Sequence, residues 1–339
     1  MRTVAVVGAG AWGTALSCHA ARLGHAVRLW AFEAEVSEAV NSRHENAVFL
    51  PGVRLPETVR AFRDVGEAVR GADLAVLAAP SQHLRELSLQ AAAHLPPRSV
   101  VVVAAKGIEE SSLELLSTVL GETLPDVGPL RLAFLSGPSF ASEVARGLPT
   151  NVVAASADPA AARTVQQLLH APTFRVYASD DVVGVQVGGA LKNVIAVAAG
   201  ACDGLGLGTN ARAAIITRGL AEMTRLGAAL GAQPLTFLGL SGVGDLVLTC
   251  TGELSRNRAL GLSVAKGADP KKYLAERRSV AEGFSTAAAA RALALKTGVE
   301  MPITEQVYQV LHHGLPLPKA LKALMHRDFK EEFRGIRTG

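Results

Sequence analysis

The sequence predicts an α/β half built on a doubly wound parallel sheet, residues 1–182, followed by an all-α half, residues 183–339. Three observations carry this. A glycine fingerprint, Gly8-Ala-Gly10-Ala-Trp-Gly13, directly follows a short apolar run at the start of the chain. Strand-like runs then alternate with helical stretches as far as about Asp180. Beyond that point only long helical periods follow, the pattern of helices packed on helices. At 339 residues the chain is long enough to hold two cores.

Residues 3–7, TVAVV, read as a buried parallel strand. Gly8 then permits a tight turn, Gly10 lets backbone amides approach a pyrophosphate, and Gly13 lets the helix from Thr14 to Leu23 pack close. The free N–H groups at that helix start suit phosphates. A second strand follows at 26–30, and Glu33 stands 20 residues after Gly13, where a carboxylate accepts from a ribose 2′-hydroxyl. The arrangement is Rossmann-type and predicts a dinucleotide.

Further strands are expected at 74–79, 99–105, 131–135, 150–155 and 173–178, with a helix at 159–170. Ligands in such sheets lie beyond the carboxyl ends of the strands. Pro80-Ser81, Lys106-Gly107 and Ser136-Gly137-Pro138-Ser139 stand at such ends. Lys106 reads either as a solvent-facing loop lysine or as a cation on the ligand side. Ser139 reads as the cap of the next helix, with Glu143 in its first turn, or as part of a ligand site.

In the second half, helices are expected at 182–201, 209–230, 256–266, 284–297 and 303–313, and a terminal helix within the charged tail 314–339. The first of these carries Lys192, with Asn193 beside it, and no other charge between 185 and 201. Such a lysine either snorkels to water or occupies a pocket that uses its charge. Asp245 sits in the glycine turn SGVGD before an apolar segment and reads as a helix cap or as a site carboxylate. Ser255-Arg256-Asn257 brings a hydroxyl, a guanidinium and an amide to a helix start, a receptor for a phosphate dianion. Arg258 either shares that work or faces solvent.

Composition narrows the function classes. Hydrophobic residues make up 49% and charged residues 19%, which excludes a disordered chain. The net charge of +4 comes without a long Lys/Arg run, which argues against a nucleic-acid surface and is compatible with a small anionic substrate. Cys18, Cys202 and Cys250 lack CxxC spacing and read as reduced, buried thiols. His312-His313 has no metal-ligand spacing, and no metal is expected. The N-terminus runs straight into a strand, and no uninterrupted apolar run reaches the ~18–20 residues of a membrane span. A cytoplasmic protein without membrane insertion is expected.

Taken together, GAGAWGTAL (8–16), AAKGIE (104–109), SGPSFASEVARGLPT (136–150), the stretch from Val183 to Met223, SGVGDLVLTCTGELSRNR (241–258) and GVEMPITEQVYQVL (298–311) resemble the bacterial-type NAD(P)-dependent glycerol-3-phosphate dehydrogenases. The resemblance runs through about residue 312. It implies a cytoplasmic homodimer interconverting sn-glycerol 3-phosphate and dihydroxyacetone phosphate for glycerophospholipid synthesis. It implies Lys192 as the catalytic acid/base. Lys106, Gly137, Ser139, Asp245, Ser255, Arg256 and Asn257 would line the substrate site. Ala11, Trp12, Ala141, Val280 and Glu282 would join Lys106, Arg256 and the fingerprint glycines around the cofactor.

One stretch departs from that family. Its members commonly place a basic residue after the second strand to meet the 2′-phosphate of NADP, whereas this chain has Phe32-Glu33. That leans toward NAD, unless an arginine such as Arg43 or Arg54 folds over the site. Two rivals stand beside this reading: a related 3-hydroxyacid dehydrogenase, for which the phosphate-suited Ser255–Asn257 cluster is out of place, and a dinucleotide-binding protein without catalysis, in which Lys192 has no task.

Overall fold

The computed structural model describes residues 1–278, 280–326 and 332. It divides into two compact units, residues 1–105 with 116–182, and residues 106–115 with 183–339. A single cut at 182 therefore misplaces one short segment. Residues 106–115 form a tight hairpin closed by a bridge between Ile108 and Leu115, and both side chains belong to the core of the second unit.

The first unit is an eight-stranded sheet: β1 (Thr3–Val7), β2 (Ala26–Trp30), β3 (Val59–Phe62), β4 (Leu74–Leu77), β5 (Val100–Val103), β6 (Leu132–Ser136), β7 (Thr150–Ala155) and β8 (Phe174–Ser179). Its order is β3-β2-β1-β4-β5-β6-β7-β8, so the strand order reverses between β1 and β4, where this fold places its ligand. The helices are α1 (Ala11–Arg22), α2 (Ala34–Arg43), α3 (Val65–Val69), α4 (Leu84–Ala92), α5 (Leu116–Thr123), α6 (Ala141–Ala145) and α7 (Pro159–Leu169).

Two features differ from the sequence reading. First, β3 is not anticipated, because it is a four-residue edge strand with exposed Arg60 inside it, and no apolar run announces it. Second, β6 and β7 pair antiparallel, so the sheet is mixed. The five-residue α6 rises only ~7–8 Å at 1.5 Å per residue, too little to carry the chain back along a strand for a parallel return. The eleven-residue α7 is long enough, and β8 lies parallel to β7.

The second unit contains α8 (Val182–Gly204), α9 (Gly208–Ala229), α10 (Asp245–Thr251), α11 (Arg256–Ala265), α12 (Pro270–Ala275), α13 (Gly283–Thr297), α14 (Pro302–His313) and α15 (Leu317–Met325). The terminal helix expected in the tail is α15; most of the chain beyond it lies outside the described residues. α8 runs through the core. By length and composition it is apolar enough to cross a membrane, yet 83% of its most apolar window is buried inside the protein. Lys192 and Asn193 interrupt the apolar run that would otherwise read as a span.

Glu222 of α9 ties two helices together. Its carboxylate is buried and accepts from the Ile303 and Thr304 amides at 2.6 and 3.1 Å and from the Thr304 hydroxyl at 2.9 Å. It thus caps α14 from a neighbouring helix. Glu222→Ala strands these donors without water, and a loss of about 2–4 kcal/mol in urea unfolding is expected. Unchanged stability would show that the contacts are incidental.

Candidate active site

In the second unit, α8 holds Lys192 buried at mid-helix, facing the first turn of α10. The approach of the two elements depends on a missing side chain. A Cβ on Gly188 would stand 2.4 Å from the Ser241 carbonyl oxygen, so any larger residue pushes the SGVGD turn away. That turn delivers Asp245 to α10, where its carboxylate accepts from the Lys192 ammonium on one oxygen and from Lys106 Nζ at 2.7 Å on the other. Thr249, one turn along α10, lies 3.0 Å from Lys192 Nζ and donates its own proton to the Asp245 carbonyl at 2.6 Å, leaving its lone pairs to the ammonium.

Asp245 is therefore not a helix cap, and Lys106 is not a solvent-facing loop lysine. Asp245 is 1% exposed, while Lys192 and Lys106 side chains are 9% and 16% exposed. Two ammoniums meet one carboxylate in a nearly dry setting, where positive charge favours an anion or a developing alkoxide. Burial pulls the Lys192 ammonium down from 10.5 to about 7, opposed by the Asp245 charge and assisted by Lys106. Burial would raise Asp245, but the charges of Lys106 and Lys192 outweigh it and hold the carboxyl below its ordinary value.

The start of α11 is more structural than its sequence suggests. Ser255 is the N-cap, and its hydroxyl oxygen accepts from the Arg258 amide at 3.2 Å. Asn257 is buried; it donates to Asn193 Oδ1 at 2.8 Å and accepts from the Gly283 amide at 2.9 Å. Its amide thus joins α11 to the residue after Lys192 and to the first residue of α13. Arg258 is half-buried and ion-paired with Asp203 at 2.7 Å. Arg256 stays exposed at the first position of α11 and feels the charge of Glu282. Val280 is exposed and Glu282 half-buried just before α13. Asn193 and Thr249 carry no role in the sequence reading. Thr249 is within reach of it, since it lies four residues after Asp245 on one helix face.

In the first unit, the fingerprint forms the turn from β1 into α1. A Cβ on Gly13 would stand 1.9 Å from the Gly8 carbonyl oxygen, whereas none of the described residues comes within 4 Å of one on Gly10. No side chain caps α1 and no acidic residue occupies its first turn, so its amides and positive end are open to an anion. Among the described residues the buried indole N–H of Trp12 has no hydrogen-bond partner. Such a donor calls for an acceptor, and with the open turn it fits the pyrophosphate region of a dinucleotide. Ala11, Trp12 and Ala141 pack on the same core, and α6, which begins at Ala141, lies along α1. Glu33 is half-buried at the start of α2. Gly137 is buried with φ +127°. Ser139 does not cap α6, whose N-cap is Phe140; its hydroxyl turns back to the Gly137 carbonyl at 2.9 Å.

Comparison with known proteins bears on both units. Residues 3–162 match the family model described as NAD-dependent glycerol-3-phosphate dehydrogenase N-terminus, and residues 181–322 match that of the C-terminus. The chain is 54% identical over 329 residues to a glycerol-3-phosphate dehydrogenase (NAD(P)+) of Geobacter sulfurreducens, covering 97% of this chain and 98% of the relative. It is 52% identical to the corresponding protein of Myxococcus xanthus, covering 98% and 99%. The crystal structure of glycerol-3-phosphate dehydrogenase from Coxiella burnetii superposes with a TM-score of 0.92 at 39% identity, covering 96% of this chain and 99% of that one.

Proposed function

Because the chain belongs to the NAD-dependent glycerol-3-phosphate dehydrogenase family, we infer that Lys192 is its proton-transfer residue and that the ion pairs around Asp245 hold it for that task. The protein is an oxidoreductase acting on glycerol 3-phosphate with NAD or NADP. Oxidation at C2 of that substrate yields dihydroxyacetone phosphate, and bound NAD(P)(H) takes or gives the hydride. The observation that carries our reading is the Lys106–Asp245–Lys192 set, in which buried Asp245 receives buried Lys192 on one carboxylate oxygen and half-buried Lys106 on the other.

In ketone reduction the Lys192 ammonium gives its proton to the C2 oxygen and stabilises the charge that develops there. In the reverse direction the neutral amine removes it, and an amine near neutrality is accessible because burial lowers its pKa to about 7. Asp245 fixes the direction of the nitrogen, Thr249 supports it, and Lys106 holds the other oxygen of the Asp245 carboxylate. Arg256, the Ser255 hydroxyl and the remaining Asn257 N–H suit the substrate phosphate. Gly137 and Ser139 are assigned to the substrate, and Val280 and Glu282 with Ala141 to the cofactor, on the family resemblance. We also infer a cytoplasmic homodimer that supplies glycerol 3-phosphate to glycerophospholipid synthesis; light scattering of the purified protein tests the dimer.

The direct test is the decay of NADH or NADPH absorbance with dihydroxyacetone phosphate. Turnover with that ketone, and none with 3-keto acids, is expected; the opposite pattern would favour the 3-hydroxyacid dehydrogenase rival, and no turnover with either the binding-only one. Arg256→Ala should raise KM for dihydroxyacetone phosphate by roughly 10- to 100-fold, the worth of a charge-assisted contact, with kcat changed far less. An unchanged KM would remove Arg256 from the phosphate site.

A further inference from the structure

In a sheet of this kind the 2′-position of a bound adenosine falls at the carboxyl end of β2. Here that end presents Phe32, 70% exposed, and half-buried Glu33. A third side chain reaches it from the neighbouring strand. β3 runs parallel to β2 with Phe62 opposite Trp30, so Arg63 leaves the sheet level with Ala31. Its backbone is pinned there: the Trp30 indole donates to the Arg63 carbonyl at 2.9 Å, and the Ala31 amide to that of Phe62 at 3.0 Å. The Arg63 guanidinium, itself exposed, donates to the Phe32 carbonyl.

Asp64, Arg43 and Arg28 have tasks of their own. Asp64 caps α3, accepting from the Glu67 amide at 2.7 Å. Arg43 pairs with Glu45 at 2.7 Å. Arg28 lies over the Phe62 ring and donates to the Glu67 and Ala68 carbonyls at 2.7 and 3.2 Å. Among the described residues no carboxylate is ion-paired to Arg63. A guanidinium carries five donors, so the bond to Phe32 leaves the others for an anion.

We propose that Arg63 is the specificity residue that binds the 2′-phosphate of NADP, so that one site accepts NADP through Arg63 and NAD through the ribose contact of Glu33. This rests on dinucleotide binding at the β1–α1 turn. In place of Arg43, which is paired with Glu45, it draws on an arginine delivered by a strand the sequence does not announce. Phe32 supplies no charge, and the phosphate partner comes from β3 instead of the segment after β2.

The test is calorimetric titration of the full-length protein with adenosine 2′,5′-bisphosphate, 5′-AMP, NADPH and NADH. The wild type should bind the bisphosphate about 10- to 100-fold more tightly than 5′-AMP, the range of a charge-assisted phosphate contact. Arg63→Ala should abolish that difference and leave the Kd for NADH within about two-fold, since the contact carries nothing for a 2′-hydroxyl. Arg63→Lys should keep part of it, and the kcat/KM ratio for NADPH over NADH should fall in step. A bisphosphate preference that survives Arg63→Ala would overturn the proposal, as would a wild type without one. Equal weakening of NADH and NADPH would also overturn it by making Arg63 a fold residue. A wild type that binds neither dinucleotide would instead overturn the cofactor site on which the proposal rests.

Discussion

Lys192→Ala is expected to lower kcat for dihydroxyacetone phosphate reduction by roughly 10³- to 10⁴-fold, the combined range of general acid catalysis and of a lost charge at the reacting oxygen. Affinity for NADH should stay within about two-fold, because Lys192 is not among the residues assigned to the cofactor. The fold should tolerate the change, since Asp245 keeps Lys106 as a partner at 2.7 Å. Stopped-flow turnover with a parallel thermal melt checks this, and near-normal kcat in a folded variant would end the assignment. In the wild type, kcat/KM for reduction should fall as pH rises through about 7, where the ammonium is lost, while kcat/KM for oxidation should rise through the same range. The substrate phosphate titrates near pH ~6 as well, so the diagnostic is how this break moves in the second variant.

Asp245→Asn should remove both stability and activity. It leaves two ammoniums facing an uncharged amide, and breaking a buried pair in this way costs about 3–5 kcal/mol. Lys192 can relieve part of that by losing its proton. The Asp245 charge holds the Lys192 pKa up, so its loss moves the pKa further below 10.5 and shifts the break in kcat/KM to lower pH. The unfolded chain then binds more protons than the folded one from that lower pKa up to 10.5, and stability rises with pH across that window. Urea unfolding should therefore show a larger deficit at pH 6 than at pH 9. A deficit equal at both, with an unmoved break, would mean that Asp245 does not set the state of Lys192.

Much of the fold and site is legible along the chain because it is periodic or local. The glycine fingerprint works within six residues, the alternation of apolar strands repeats, and a helix with a single charge across 185–201 has no solvated face, so α8 has to be buried all round. The same locality explains what the order of residues hides. β3 is short and edge-exposed, so no pattern points to Arg63. Ser139 precedes the true cap by one residue, a difference no composition rule resolves. Ser255 and Asn257 read as ligand groups in sequence because a hydroxyl and an amide at a helix start suit an anion. Much of their hydrogen bonding instead serves the Arg258 amide, Asn193 and Gly283.

The residue types of the site and the classes of its two halves follow from order along the chain, since strand and helix periods and the turn glycines are properties of neighbours. Which charges meet does not. Asp245 lies 53 residues from Lys192 and 139 from Lys106, and the three converge only because a small residue at Gly188 lets the SGVGD turn settle on α8 while the 106–115 hairpin joins the helical core. Burial then sets the chemistry: an ordinary lysine becomes an acid and base near neutrality only once water is excluded from around it.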